Sequence, residues 1–130
     1  MLAVLSISLG AAFGALARWQ LGLLLNPGGL MPWGTVAANL LGGYLIGLLM
    51  SVLQALPELN PLWKLGLITG FLGALTTFST FSDEVVTEFL AQRHGLAMVM
   101  ALVHVLGSFF MTYLGMRSAA AVMWMLPTGR

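Results

Sequence analysis

The chain has 130 residues, of which 59% are hydrophobic and 7% charged, with a formal net charge of +1. A soluble domain of this size carries roughly a quarter charged residues, so the composition, with a mean hydropathy of +0.97, assigns the chain to the lipid bilayer. It excludes disulfides and thiolate metal sites, because there is no cysteine, and a nucleic-acid partner, because there is no basic surface.

About 20 apolar residues cross a bilayer, and four segments qualify. The first runs over about Leu2–Leu25. Its Ala15-Leu16-Ala17 mimics a signal-peptidase site, but no Lys or Arg precedes the apolar run and hydrophobicity continues past Arg18, which predicts a retained helix. Asn26-Pro27-Gly28-Gly29 then forms a turn cluster. The second segment, about Trp33–Leu56, has Pro32 before it and Pro57 after it. The third, about Leu62–Leu90, is unusually long. The fourth, about Leu96–Leu126, is closed by Pro127 and Gly129. Short loops leave no room for a soluble domain, so residues 1–130 read as one all-α transmembrane domain.

The organising stretch is residues 69–84 in the third segment. It holds Gly70 and Gly73, Thr76, Thr77 and Thr80, Ser79 and Ser82, and Phe78 and Phe81. Hydroxyls are expensive at membrane depth unless something uses them. Glycines loosen a helix, and hydroxyls can bond the backbone groups that a break frees. A break is tolerated in a membrane only against protein or a water-filled cavity, so the stretch predicts a discontinuous helix lining a passage.

Residues four apart share a helix face. The second segment then presents Thr35, Asn39, Gly43 and Gly47 in one line, and the fourth presents His104, Ser108 and Thr112. Helical geometry continued past the break aligns Thr76, Thr80 and Asp83, with Phe78 three residues before Phe81. These lines offer amide and hydroxyl donors, and aromatic rings carry a positive edge, which suits an anion. Conduction needs binding weak enough to permit exit, so the expected passage is Asn39, Phe78, Phe81, Thr80, Ser108 and Thr112. Arg18 stands within an apolar segment with no acid on its own helix; it either snorkels or sits at a water-filled mouth. Glu84 and Glu88 fall near the end of the third segment, where Glu84 can face the stripe. Glycine pairs four apart, Gly10/Gly14, Gly43/Gly47 and Gly66/Gly70, predict close helix contacts. No nucleophile-elbow or metalloprotease motif is present, and His104 has no second histidine at ligand spacing, so an enzyme is not expected.

Orientation follows the Lys/Arg balance of short loops. Lys64 and Arg130 fall with the N-terminus on one side and Arg93 on the other, while Arg18 and Arg117 lie inside apolar segments. A balance near zero predicts insertion both ways and an antiparallel homodimer with its two-fold axis in the membrane plane.

These residues resemble a known family. Gly14-Ala15-Leu16-Ala17-Arg18-Trp19, Trp33-Gly34-Thr35 with Asn39 and Gly42-Gly43, and Gly70-Phe71-Leu72-Gly73 followed by Thr76-Thr77-Phe78-Ser79-Thr80-Phe81-Ser82 are similar to the Fluc (CrcB-type) fluoride channels over essentially the whole chain. The resemblance implies a dual-topology homodimer with two fluoride pores in the inner membrane of a bacterium, passively exporting fluoride from the cytoplasm. It implies that Phe78 and Phe81 line the pores, that Asn39 is the pore asparagine, and that Ser108 and Thr112 belong to a hydroxyl track. It further implies that carbonyls of Gly73 and Thr76 hold a structural sodium ion on the two-fold axis, with Arg18 and Glu84 as accessory residues. The sequence departs at Ala74, often glycine, and at His104, where some members carry tyrosine. The rival functions are a small drug/proton antiporter, disfavoured because Arg18 stands where an acid is required, and a non-conducting subunit of a membrane complex, which leaves the polar lines without use.

Overall fold

The computed structural model describes residues 1–26 and 28–125 and is all-helical. The first helix is Leu2–Leu25, the second Trp33–Ala55, and the fourth His94–Met125. The third span, Pro61–Leu90, consists of joined, bent segments. Each of the four is long and apolar enough to cross a membrane, with mean hydropathy between 1.3 and 1.9. Their outer faces carry large exposed apolar side chains, among them Leu9, Phe13, Leu106 and Phe110, as expected for a multi-pass membrane protein. The turn predicted at Pro27 and the stop at Pro127 and Gly129 lie outside the described residues.

Local chemistry explains the ends. Asn60 caps the third span through its side-chain oxygen, which accepts from the Leu62 N–H at 2.9 Å, and Pro61 takes the first position, where no N–H is needed. The second helix is capped at a distance: the Gly34 N–H donates to Asn26 Oδ1 at 2.7 Å, tying the first loop down. Between the third span and the fourth helix only three residues remain. Gln92 there adopts a left-handed φ of 62°, and Arg93 Nη2 donates to Glu88 Oε1 at 2.8 Å. The fourth helix consequently starts at His94, two residues before the predicted Leu96.

The third span begins with one short turn, Pro61–Lys64, and widens into a π-helix over Leu65–Leu72. It closes with Gly73–Leu75 and stops. Thr76 (ψ 154°) and Thr77 (φ −150°, ψ 114°) are extended, and the chain resumes as a helix over Phe78–Leu90. We call residues 61–75 the leading half and Phe78–Leu90 the trailing half. The predicted discontinuity is therefore real, but it falls on the two threonines and not on the glycines. Gly70 instead lets the leading half touch the first helix: a Cβ there would meet the Ile7 carbonyl at 2.5 Å.

Packing forms two seams. In one, the first helix lies along the leading half, and Cβ atoms at Gly10 or Gly14 would collide with the backbone of Gly66 or Phe71. In the other, the second helix lies along the fourth, and a Cβ at Gly47 or Gly115 would collide with the backbone of Thr112 or Tyr44. Backbone-to-backbone approach through small residues is the main source of association in lipid, where apolar burial supplies little. The small core between the seams centres on Ala38, Leu72 and Leu75.

Substitution should separate seam glycines from free ones. Gly47→Val should destabilise by at least about 3 kcal/mol, the upper end for overpacking, because backbone cannot yield as a side chain can. Gly22, with nothing within 4 Å of its added Cβ, should tolerate alanine and gain up to about 1 kcal/mol of helix propensity. Unfolding by SDS titration from mild detergent measures both.

Candidate functional site

The break is held by one side chain. Asn39, on the second helix, faces Thr77 and grips its backbone on both sides. Oδ1 accepts from the Thr77 N–H at 2.8 Å, and Nδ2 donates to the Thr77 carbonyl at 3.0 Å. Two extended residues at membrane depth have no helical partners for these groups, and leaving them unpaired is costly. Thr77 in turn caps the trailing half: its Oγ1 accepts from the Thr80 N–H at 3.1 Å and donates to Thr80 Oγ1 at 2.9 Å. Thr76 closes the other end, donating its hydroxyl to the Leu72 carbonyl at 2.9 Å.

The amide of Asn39 also reaches the fourth helix, where Nδ2 lies 3.1 Å from His104 Nδ1. His104 is 3% exposed, and its ring stacks at a tilt on Phe81, with centroids 4.6 Å apart. Phe81, 8% exposed, meets Phe78 edge-on at 5.4 Å, while Phe78 is 77% exposed. Beside this cluster runs an open groove of about 660 Å³. Asn39, Gly42, Gly43, Gly73, Thr76, Thr77, Phe78, Phe81, His104, Ser108 and Thr112 line it together with apolar side chains. The Thr112 hydroxyl donates to the Ser108 carbonyl at 2.9 Å, so in this conformation it offers the groove an acceptor and not a donor.

The candidate residues thus divide. Asn39, Phe78, Phe81, Ser108 and Thr112, with His104, Gly73 and Thr76, come together on the groove. Thr80 and Arg18 line a separate pocket of about 280 Å³ with Thr35, and Thr77 is shared by both. Glu84 accepts from the Thr35 hydroxyl at 2.6 Å, while its other carboxylate oxygen is buried without a partner among the described residues. Asp83 is exposed, because the break resets the register on which its alignment with Thr76 depended. Thr77 is the functional position that sequence reasoning passed over. The signal was a Thr-x-x-Thr spacing at the start of a helix, a capping pattern.

Sequence comparison gives the site its family. A family model described as "CrcB-like protein, Camphor Resistance (CrcB)" matches residues 5–116. The chain belongs to the CrcB family. Among its relatives is a protein from Variovorax paradoxus (strain S110), 55% identical over 122 residues that cover 94% of this chain and 98% of the relative. Another, from Albidiferax ferrireducens, is 57% identical over 119 residues, 92% of each chain. A third, from Paracidovorax citrulli, is 54% identical over 119 residues, 92% of this chain and 94% of its own. All three carry the name "Fluoride-specific ion channel FluC". CrcB membership places this chain among membrane channels and not enzymes, as a multi-pass inner-membrane protein.

The sodium ion expected at Gly73 and Thr76 is corrected. Among the described residues no group of three or more His, Cys, Asp or Glu comes together to hold a metal ion. Both residues line the groove, but the acids of the trailing half do not, so no carboxylate joins their oxygens there.

Asn39→Ala should strip both partners from Thr77. The loss is expected at roughly 1–3 kcal/mol, toward the lower end because a chain unfolded in the membrane finds other partners. Asn39→Asp keeps the acceptor for the Thr77 N–H but sets a carboxylate against the Thr77 carbonyl at membrane depth, so it should destabilise at least as much as alanine. Detergent unfolding of the three proteins checks the order.

Proposed function

We propose that this chain is a fluoride-selective passive channel that lets fluoride leave the cytoplasm. The observation carrying this reading is the single groove at the helix break in which two phenylalanine rings stand edge to face beside the Asn39 amide, His104 and the Ser108–Thr112 line. Fluoride is small and tightly hydrated, so a narrow passage must replace its water. Ring edges and neutral polar groups do this without the deep binding that a fixed cation would impose. Arg18 lies in a different pocket, which suits a role at the mouth. The names of the relatives agree with this reading.

The working unit in this proposal is an antiparallel homodimer inserted in both orientations. The exposure of Phe78 and the openness of the groove favour a second copy as the missing wall, and the near-zero balance of basic loop residues favours dual insertion. Residues 1–130 act as one transmembrane domain of that dimer, with Glu84 as an accessory group beside Thr35.

Efflux of fluoride from liposomes, followed with an electrode and with chloride run in parallel, tests the function. Phe78→Ile or Phe81→Ile should reduce fluoride efflux by about tenfold, the value of one lost ring-edge interaction of about 1.4 kcal/mol, while the protein still elutes as a dimer. Chloride flux equal to fluoride flux, or undiminished flux in both variants, would remove the groove from the pathway. Absence of flux would return the chain to the antiporter or structural-subunit readings. For topology, reporters fused to the C-terminus should mark both sides of the membrane, and two or three lysines added to one loop should force a single orientation and lower efflux. A reporter found on one side in native expression would rule out dual insertion.

A further inference from the structure

The orientation of the Asn39 amide is fixed by chemistry. Only its oxygen can accept from the Thr77 N–H at 2.8 Å, so the nitrogen must be the atom that faces both the Thr77 carbonyl at 3.0 Å and His104 Nδ1 at 3.1 Å. An amide nitrogen donates and cannot accept. Nδ1 of His104 must therefore be unprotonated and accept the second amide hydrogen. The neutral ring then carries its proton on Nε2, an atom that is buried and without a partner among the described residues.

We propose that His104 is a positioning residue for conduction: in its neutral form it completes the Asn39 clamp on Thr77, and protonation at Nδ1 releases that clamp. An N–H on Nδ1 would confront the Asn39 N–H across 3.1 Å, two donors with no acceptor between them. Asn39 cannot turn over to present its oxygen without abandoning the Thr77 N–H. Either response loosens Thr77, and Thr77 caps the helix that begins with Phe78. Proton uptake on the fourth helix is thereby transmitted through one amide to the ring edge in the groove. This deepens the channel reading and rests on it.

Other charges do not supply the same effect. The titratable or charged groups on the elements packed against the helix of His104 are Tyr44 on the second helix and Asp83, Glu84 and Glu88 on the trailing half. His94, Tyr113 and Arg117 share its own helix, and Arg18 lies in the pocket beyond Thr77. None of these lines the groove. Glu84 is bonded to Thr35 and Glu88 to Arg93, and Asp83 is exposed.

The test is fluoride efflux from liposomes with equal pH on both sides, taken between about pH 5 and 8, where imidazole changes charge. Protein-free vesicles subtract the leak of un-ionised hydrogen fluoride. Wild-type efflux should fall by about fivefold toward the acid end, the factor for one lost hydrogen bond. His104→Gln offers a side-chain oxygen to Asn39 and does not titrate, so its efflux, taken relative to its own plateau, should be flat with pH. His104→Leu removes the acceptor and should be low at every pH. Glu84→Gln should retain the acid limb relative to its own plateau. Nitrogen-15 spectra of the purified dimer should show His104 protonated on Nε2 at neutral pH, with that preference lost in Asn39→Ala. A pH-independent wild type, an acid limb retained in His104→Gln, or a proton on Nδ1 at neutral pH would overturn the proposal. Absence of fluoride flux at every pH would overturn the channel reading, and with it any role of the clamp in conduction.

Discussion

The structure depends on how a helix can be interrupted inside a membrane. Water is absent there, so each N–H and C=O released by the break at Thr76 and Thr77 must be satisfied by protein. One asparagine does most of this, matching its donor and acceptor to the acceptor and donor of the Thr77 peptide groups. Asn39 can reach them only because the second helix approaches closely. A Cβ at Gly42 would strike the Thr76 side chain, so the glycine next to the asparagine stripe sets the distance at which the clamp works. Sequence, packing and site are joined at this point: a small residue admits a neighbour, the neighbour brings an amide, and the amide stabilises a conformation that hydrocarbon would otherwise forbid.

A consequence is that the break is held from several sides when His104 is neutral. Thr77 is bonded through its N–H, its carbonyl and its hydroxyl, and the rings beyond it are stacked in series, Phe78 on Phe81 and Phe81 on His104. The groove therefore has one wall set by hydrogen bonds and aromatic contact. Its other side is open. Such an asymmetry suits a surface completed by a second molecule, with the preorganised side supplying the fixed geometry.

Much of this was legible in the sequence. Hydropathy and length gave four spans, and the hydroxyl-rich stretch placed a break in the third, because both signals are local. The polar lines of the second and fourth helices were also legible, since each lies on an unbroken helix whose period carries Asn39, or His104 and Ser108, to one face. Two things were not. The periodic argument fails across Thr76 and Thr77, where two extended residues rotate the trailing half; Thr80 and Asp83 accordingly leave the line on which they were expected. The π-helix before the break was also hidden, because its sequence, Leu65–Leu72, is as apolar as an α-helix would be and the first helix it packs against is distant in the chain. The expected sodium site drew on the resemblance and on an assumed two-fold axis, and among the described residues no cluster of His, Cys, Asp or Glu able to hold a metal accompanies it.

The π-helix has a further meaning for how this chain tolerates change in length. Each wide turn holds an additional residue within nearly the same rise as an ordinary turn. Removing one residue between 65 and 72 could therefore be absorbed by reversion to α-helical winding. The two ends would stay nearly in place, whereas the same deletion in the trailing half would turn everything beyond it by about 100°. The leading half is in that sense a take-up spool placed upstream of the peptide that Asn39 grips.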